Sequence, residues 1–211
     1  MVGARLPVVL EIGFFSRSSV VSGRGQEMVD ALKGKRAAII AADDFEDLEL
    51  FHPMYRLQEE GVKTVVVGLN RTPVKGKKGY TIEPALSIDE ADAADFDLLV
   101  VPGGKSPEKL RLSEKVLDLV REFDKQGKPI AAICHAGQVL ASAGIVKGRT
   151  LTCVPGIRDD MINAGAHYVD RPVVRDRNLV TSRVPPDLPD FARHMIEMLK
   201  EPRLVQTAHQ R

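Results

Sequence analysis

The sequence predicts an α/β fold, a three-layer α/β/α sandwich built on a mostly parallel central sheet. From Arg36 onward, apolar runs rich in β-formers alternate with amphipathic stretches of helical period. That alternation is the pattern of a parallel sheet covered on both faces by helices. The length, 211 residues, suits one domain with a full hydrophobic core better than two small ones.

Taken in order, Ala37 to Ala42 reads as the first buried strand, followed by a helical stretch through Tyr55 to Glu60 that contains Pro53 and stops at Gly61. Thr64 to Leu69 is the second strand. Lys75-Gly-Lys-Lys-Gly79 has turn composition, and Tyr80 to Ile88 alternates as an exposed extended segment or hairpin beside the sheet. Asp97 to Val101 is the next strand, ending in Pro102-Gly103-Gly104, and Pro107 to Gln126 has the period of one helix, with Pro107 in its first turn. Pro129 to Ile133 is another strand, with Cys134 at its carboxyl end and a helical run to Gly144 beyond it. Open α/β sheets place ligands in that crevice. Thr150 to Val154 reads as a short strand, Arg158 to Ala164 as a helix, and Val173 to Ser182 as a hairpin turning at Asp176 to Asn178. An amphipathic helix from Pro189 to Leu199 closes the domain.

Lys and Arg number 30 against 29 Asp and Glu. The balance, with no long block of like charge, gives no electrostatic footprint for nucleic acid or an anionic membrane and points to small molecules or proteins as partners. Two cysteines, Cys134 and Cys153, are too few for a disulfide framework in a chain of this size. A reducing compartment, the cytoplasm, is expected. No apolar run approaches the roughly 20 residues of a membrane span. Residues 1–34 read as a separate N-terminal extension, either a disordered tail or a start placed too early, with Met28 the alternative beginning. Residues 35–201 form the domain and 202–211 a C-terminal tail.

The residue that draws chemistry is Cys134, in Ala131-Ala-Ile-Cys-His-Ala-Gly-Gln138. A helix start stabilises a thiolate through unpaired N–H groups, which predicts a lowered thiol pKa. Ala132, Ala136 and Gly137 are small enough for a sharp strand-to-helix bend that projects the sulfur and leaves N–H groups free for an oxyanion. The plainer alternative is a buried cysteine acting as a small hydrophobe. His135 tips the reading toward chemistry, because across such a bend an adjacent imidazole can reach the sulfur.

The chain resembles the PfpI family, also described as intracellular protease I or protein deglycase, within the class I glutamine-amidotransferase-like superfamily. The resemblance runs from about Lys35 to about Lys200. It rests on Asp44-Phe-Glu-Asp-Leu-Glu-Leu50, Val101-Pro-Gly-Gly104 with Pro107-Glu108, Ala132-Ile-Cys-His135, Ala143-Gly144, Pro155 to Gly165 and Ser182-Arg-Val-Pro185. It implies a flavodoxin-like sandwich with Cys134 as nucleophile, His135 as its neighbouring base and Glu108 completing the site from an adjacent subunit. Glu46 is the implied acid beside the sulfur, and Gly104 and His135 supply the oxyanion-hole N–H groups. The family also implies a homo-oligomer, at least a dimer and up to a trimer of dimers. Many members carry His-Gly-Pro where this chain has His135-Ala136-Gly137.

Without the resemblance, Glu108 would read as a first-turn helix acid, and Asp43, Asp44, Glu46 and Asp47 as a solvated acidic turn. Gly103-Gly104-Lys105-Ser106 is not a phosphate loop: Leu99 stands where the first glycine is required, and Pro107 removes an N–H donor. His52, His167, His194 and His209 lack metal-site spacing, so no metal or cofactor is expected. Cys153 reads as a packed strand residue with a minor alternative as a resolving thiol, and Lys75 to Lys78 as a solvated turn. Three functions follow in order. The first is a cysteine-nucleophile hydrolase acting on reactive carbonyls or their early protein adducts, deglycase or glyoxalase-like. The second is an intracellular cysteine peptidase or amidase, and the third a non-catalytic redox-sensing stress protein.

Overall fold

A computed structural model describes residues 32–201. The expectations for residues 1–31 and 202–211 lie outside the described residues. The main sheet contains β1 (Arg36–Ile40), β2 (Lys63–Gly68), β5 (Leu86–Ser87), β6 (Leu98–Val101), β7 (Ile130–Ile133), β10 (Val173–Asp176) and β11 (Leu179–Ser182). Two small accessory sheets pair β3 (Val74–Lys75) with β4 (Thr81–Ile82) and β8 (Thr150–Leu151) with β9 (His167–Tyr168). The main order is β10-β11-β7-β6-β1-β2-β5, parallel throughout except for the β10–β11 edge hairpin.

The helices are α1 (Asp47–Glu59), α2 (Ser106–Leu110), α3 (Glu114–Lys125), α4 (Gly137–Ala143), α5 (Arg158–Asn163) and α6 (Leu188–Lys200). Both sheet faces are buried, as the unbroken apolar strands require. Along β1 and its continuation, Ala37, Ile39 and Ala41 pack with Leu50, Leu57, Phe191 and Met195 of α1 and α6. Ala38, Ile40 and Ala42 turn the other way, toward Val120, Phe123, Val139 and Leu140 of α3 and α4. The period of two in a strand thus divides one apolar run between two cores.

The predicted helix over 107–126 is two helices, broken between Leu110 and Glu114, where Leu112 is left 84% exposed. The break lets Leu110 and Val116 reach the same core cluster from separate segments. Residues 80–88 are also more than an accessory hairpin, since β5 joins the main sheet in parallel with β2. The expected strand over 150–154 stops at Leu151, because Thr152 gives its N–H to the Thr181 hydroxyl at 2.9 Å instead of to a strand neighbour.

In this order β1 is the switch point: the chain leaves it for β2 on one side and reaches β6 on the other. The loops after β1, β6 and β7 therefore meet over the carboxyl ends of neighbouring strands, where a crevice opens.

Candidate active site

Cys134 follows the last residue of β7 and has φ 63°, left-handed backbone that only glycine adopts freely. Such a residue costs on the order of 1–3 kcal/mol and persists because its surroundings fix it. One 3-10 turn, Cys134–Ala136, then leads into α4. The predicted sharp bend is present and lifts the sulfur out of the strand direction.

The loop after β6 lies directly against it. A side chain on Gly103 would put its Cβ 2.6 Å from the Cys134 Cβ, 2.6 Å from Glu49 Oε2 and 3.0 Å from the His135 nitrogen. Gly104 has φ 76°, and a Cβ there would stand 2.4 Å from the Asp44 carbonyl oxygen and 2.5 Å from the Glu46 nitrogen. The loop after β1 holds this pair of glycines in place: Glu46 N donates to the Gly103 carbonyl at 3.2 Å and Lys105 N to that of Asp44 at 2.8 Å. The Gly104 and His135 N–H groups therefore lie near enough to the Cys134 sulfur to favour its charged form. These are the two expected at an oxyanion hole.

The acid at the sulfur is Glu49, and this corrects the assignment of that place to Glu46. Glu49 is fully buried; its Oε2 accepts the Gly103 N–H at 2.8 Å, and its carboxyl stands beside the Cys134 thiol. Glu46 precedes the first helical residue with extended backbone, φ −75° and ψ 116°. Its side chain therefore leaves in another direction and meets Lys77 Nζ at 3.7 Å. Glu49, in the first turn of α1, shares the inward face of Leu50, Pro53, Met54 and Leu57.

Burial, helped by the nearby Glu46 charge, pushes the Glu49 carboxyl up to about 7, against the Gly103 N–H and the thiol. The thiol moves opposite to the sequence expectation. Burial first, then the Glu49 charge, push Cys134 up to about 12, and the Gly104 and His135 N–H groups only offset part of this. The helix-start effect is present but too small for a thiol enclosed beside a carboxylate. The two groups titrate as one unit.

His135 is half-buried; burial lowers its imidazole pKa, and the charge of Glu108 in the same chain works the other way. Glu108, exposed at the start of α2, is thus brought toward His135 within one chain, although the resemblance assigns it to a neighbour's site. His135 Nδ1 is buried with no hydrogen-bond partner among the described residues. Cys153 is buried one residue before Val154, whose N–H meets the Cys134 carbonyl at 3.5 Å. Its thiol is pushed up to about 12 by burial and the Asp160 charge, and both cysteines are free.

Sequence reasoning missed Glu49 and Gly103. The signal for Glu49 was an acidic residue inside the apolar stripe of α1, where a period near 3.6 calls for a hydrophobe. No comparable local pattern marks Gly103, whose need for a missing side chain arises from contacts with 49 and 134.

The model of the DJ-1/PfpI family matches residues 35–198. An uncharacterised protein of Archaeoglobus fulgidus is 51% identical over 78% of this chain and 98% of its own length. A protein of Pyrococcus furiosus named Deglycase PfpI is 46% identical over 76% of this chain and 97% of its own. The crystal structure of Drosophila melanogaster DJ-1beta superposes with a TM-score of 0.74 at 36% identity, covering 79% of this chain and 91% of that one. With the strained cysteine turn and its glycine loop already in place, these likenesses make the chain a member of the DJ-1/PfpI family.

Proposed function

We propose that this protein is a cysteine-nucleophile hydrolase acting on reactive carbonyls or their early adducts with proteins, a deglycase or glyoxalase-like activity. The observation that carries this reading is the contact of the Glu49 carboxyl with the Cys134 thiol, beside two N–H groups close to the sulfur. A buried carboxyl can take the thiol proton as sulfur attacks an aldehyde carbon, so charge is not left on both groups. The new alkoxide forms next to the Gly104 and His135 N–H groups, which stabilise it. His135 can then carry the proton between carbon and oxygen. For a dialdehyde or ketoaldehyde, one carbon is oxidised as its neighbour is reduced and water is added. That balance needs no external electron acceptor.

The names of several relatives favour this reading over peptide cleavage: the matched proteins of Pyrococcus abyssi and Pyrococcus furiosus are both named deglycases. The test is a parallel assay of wild type and Cys134→Ser on methylglyoxal, glycated peptides and unmodified peptides. Conversion of methylglyoxal to lactate by wild type alone supports the reading. Cysteine-dependent cleavage of unmodified peptides without any aldehyde consumption overturns it in favour of a peptidase.

We further propose a working unit of at least two copies, in which Glu108 of a second copy partners His135. The unpartnered Nδ1 supports this. So does the apolar surface around α1, where Leu48, Tyr55 and Tyr80 are each more than half exposed and Phe51 stacks on Tyr55 and meets Tyr80 edge-on.

A further inference from the structure

The hairpin of β3 and β4 is fastened to the lip of the site. Phe45 bridges Gly104 on one side and Gly76 on the other, so three backbone segments lie abreast there. Lys77 N donates to the Phe45 carbonyl at 2.8 Å. The buried Asp47 carboxylate takes the N–H of Lys78 at 2.7 Å and that of Tyr80 at 3.2 Å. These bonds fix where the Lys77 side chain starts, on the far side of the Phe45 segment from the Gly104 loop, and from there its Nζ extends to Glu46, three residues before Glu49.

We propose that Lys77 is a specificity residue whose ammonium receives the carboxylate of a substrate while that substrate's carbonyl lies on Cys134. The site then favours reactive carbonyl compounds carrying an anionic group. This rests on the assignment of Cys134 as nucleophile made above. Nζ stands 3.7 Å from Glu46 Oε2, too long for a direct hydrogen bond, and the side chain is 59% exposed, so its donors remain open to a ligand. The neighbouring cation at this rim, Lys109, is already engaged by Asp44 at 2.9 Å. The Lys77 charge is felt at both Glu49 and His135, on the two sides of the thiol. An anion in that space meets acid repulsion from Glu46 and Glu108, and Lys77 is the residue placed to offset it.

The experiment compares alkylation of Cys134 by iodoacetate and by iodoacetamide, followed by mass spectrometry, in wild type, Lys77→Met and Lys77→Arg. Both reagents attack the same thiolate, so any change in thiol ionisation cancels in the ratio of their rates. Lys77→Met is expected to lower the iodoacetate-to-iodoacetamide ratio about fivefold, the size of a partly exposed charge interaction, and Lys77→Arg to retain it. An unchanged ratio in Lys77→Met overturns the proposal. A second arm measures kcat/KM for methylglyoxal and for the ketoaldehyde HCO–CO–CH2–CH2–COO−, which water converts to the corresponding hydroxy diacid. Lys77→Met should lose activity selectively on the carboxylate-bearing compound, and an equal loss on both counts against the proposal. Should wild type consume neither ketoaldehyde while the alkylation ratio still responds, the carbonyl-hydrolase reading fails and the anion site stands.

Discussion

Glu49 reaches Cys134 from the first turn of α1, with one carboxyl oxygen anchored 2.8 Å from the Gly103 N–H and the carboxyl in contact with the thiol. A group held this way is a stability cost whenever it ionises. Its folded pKa of about 7 lies above the ordinary 4.5. The sign follows directly: stability is full below the unfolded pKa of 4.5 and is lost as pH rises through about 7. At 1.36 kcal/mol per pH unit the loss is about 3 kcal/mol. Glu49→Gln keeps an acceptor for Gly103 and has no charge to bury. Urea unfolding of this variant should match wild type near pH 4 and exceed it by up to about 3 kcal/mol at pH 9. A constant difference across that range would refute the buried-carboxyl account.

The same pair predicts how the thiol titrates. Removing the Glu49 charge removes the second-largest cause of the raised Cys134 pKa, so Glu49→Gln should bring the thiol down while leaving the burial effect. Glu46 touches the sulfur only through Glu49, whose carboxyl its charge raises. Iodoacetamide reactivity against pH should therefore shift strongly in Glu49→Gln and slightly in Glu46→Gln. Equal shifts would return Glu46 to the place first assigned to it.

That exchange of two glutamates shows what the sequence made legible. The central strands, the reactive cysteine and the sharp bend could be read because each is encoded locally, in apolar runs and in the small residues around 134, whereas Gly104 and His135 as the N–H donors came only from the family resemblance. The choice between Glu46 and Glu49 depends on the residue at which α1 begins. One residue with extended backbone turns Glu46 toward Lys77, and a three-residue step into the helix turns Glu49 toward the sulfur. The thiol pKa was misjudged for a related reason. Helix-start stabilisation can be inferred from chain order, whereas burial beside a carboxylate arises from segments far apart in sequence. The split of residues 107–126 into two helices was equally hidden, since Leu112 fits the apolar count of a helix but faces solvent.

Gly103 offers a sharp test of the packing. A methyl group there meets the Cys134 Cβ and a Glu49 oxygen, both at 2.6 Å, and neither neighbour is the loose end of a surface side chain. Gly103→Ala should lower stability by about 1–3 kcal/mol, the usual cost of overpacking, and reduce the rate of Cys134 alkylation at least tenfold. Thermal unfolding and iodoacetamide kinetics check both. Alkylation at the wild-type rate would mean that the close approach of this loop is not needed to set the thiol.

Glu108 poses the last question, because its charge acts on His135 within one chain while His135 Nδ1 has no partner among the described residues. If a neighbour's carboxylate supplies that bond, Cys134 and Glu108 of one working site belong to different copies. Cys134→Ser and Glu108→Gln would each be inactive alone on methylglyoxal. Unfolded together and refolded as a mixture, they should recover activity, because a mixed dimer contains one site with both groups intact. Random pairing makes about half of the dimers mixed, each with one of its two sites working, so recovery should approach a quarter of wild type. No recovery, with mixed dimers verified by native mass spectrometry, would place Glu108 and Cys134 in the same copy and leave the within-chain charge interaction as the working one.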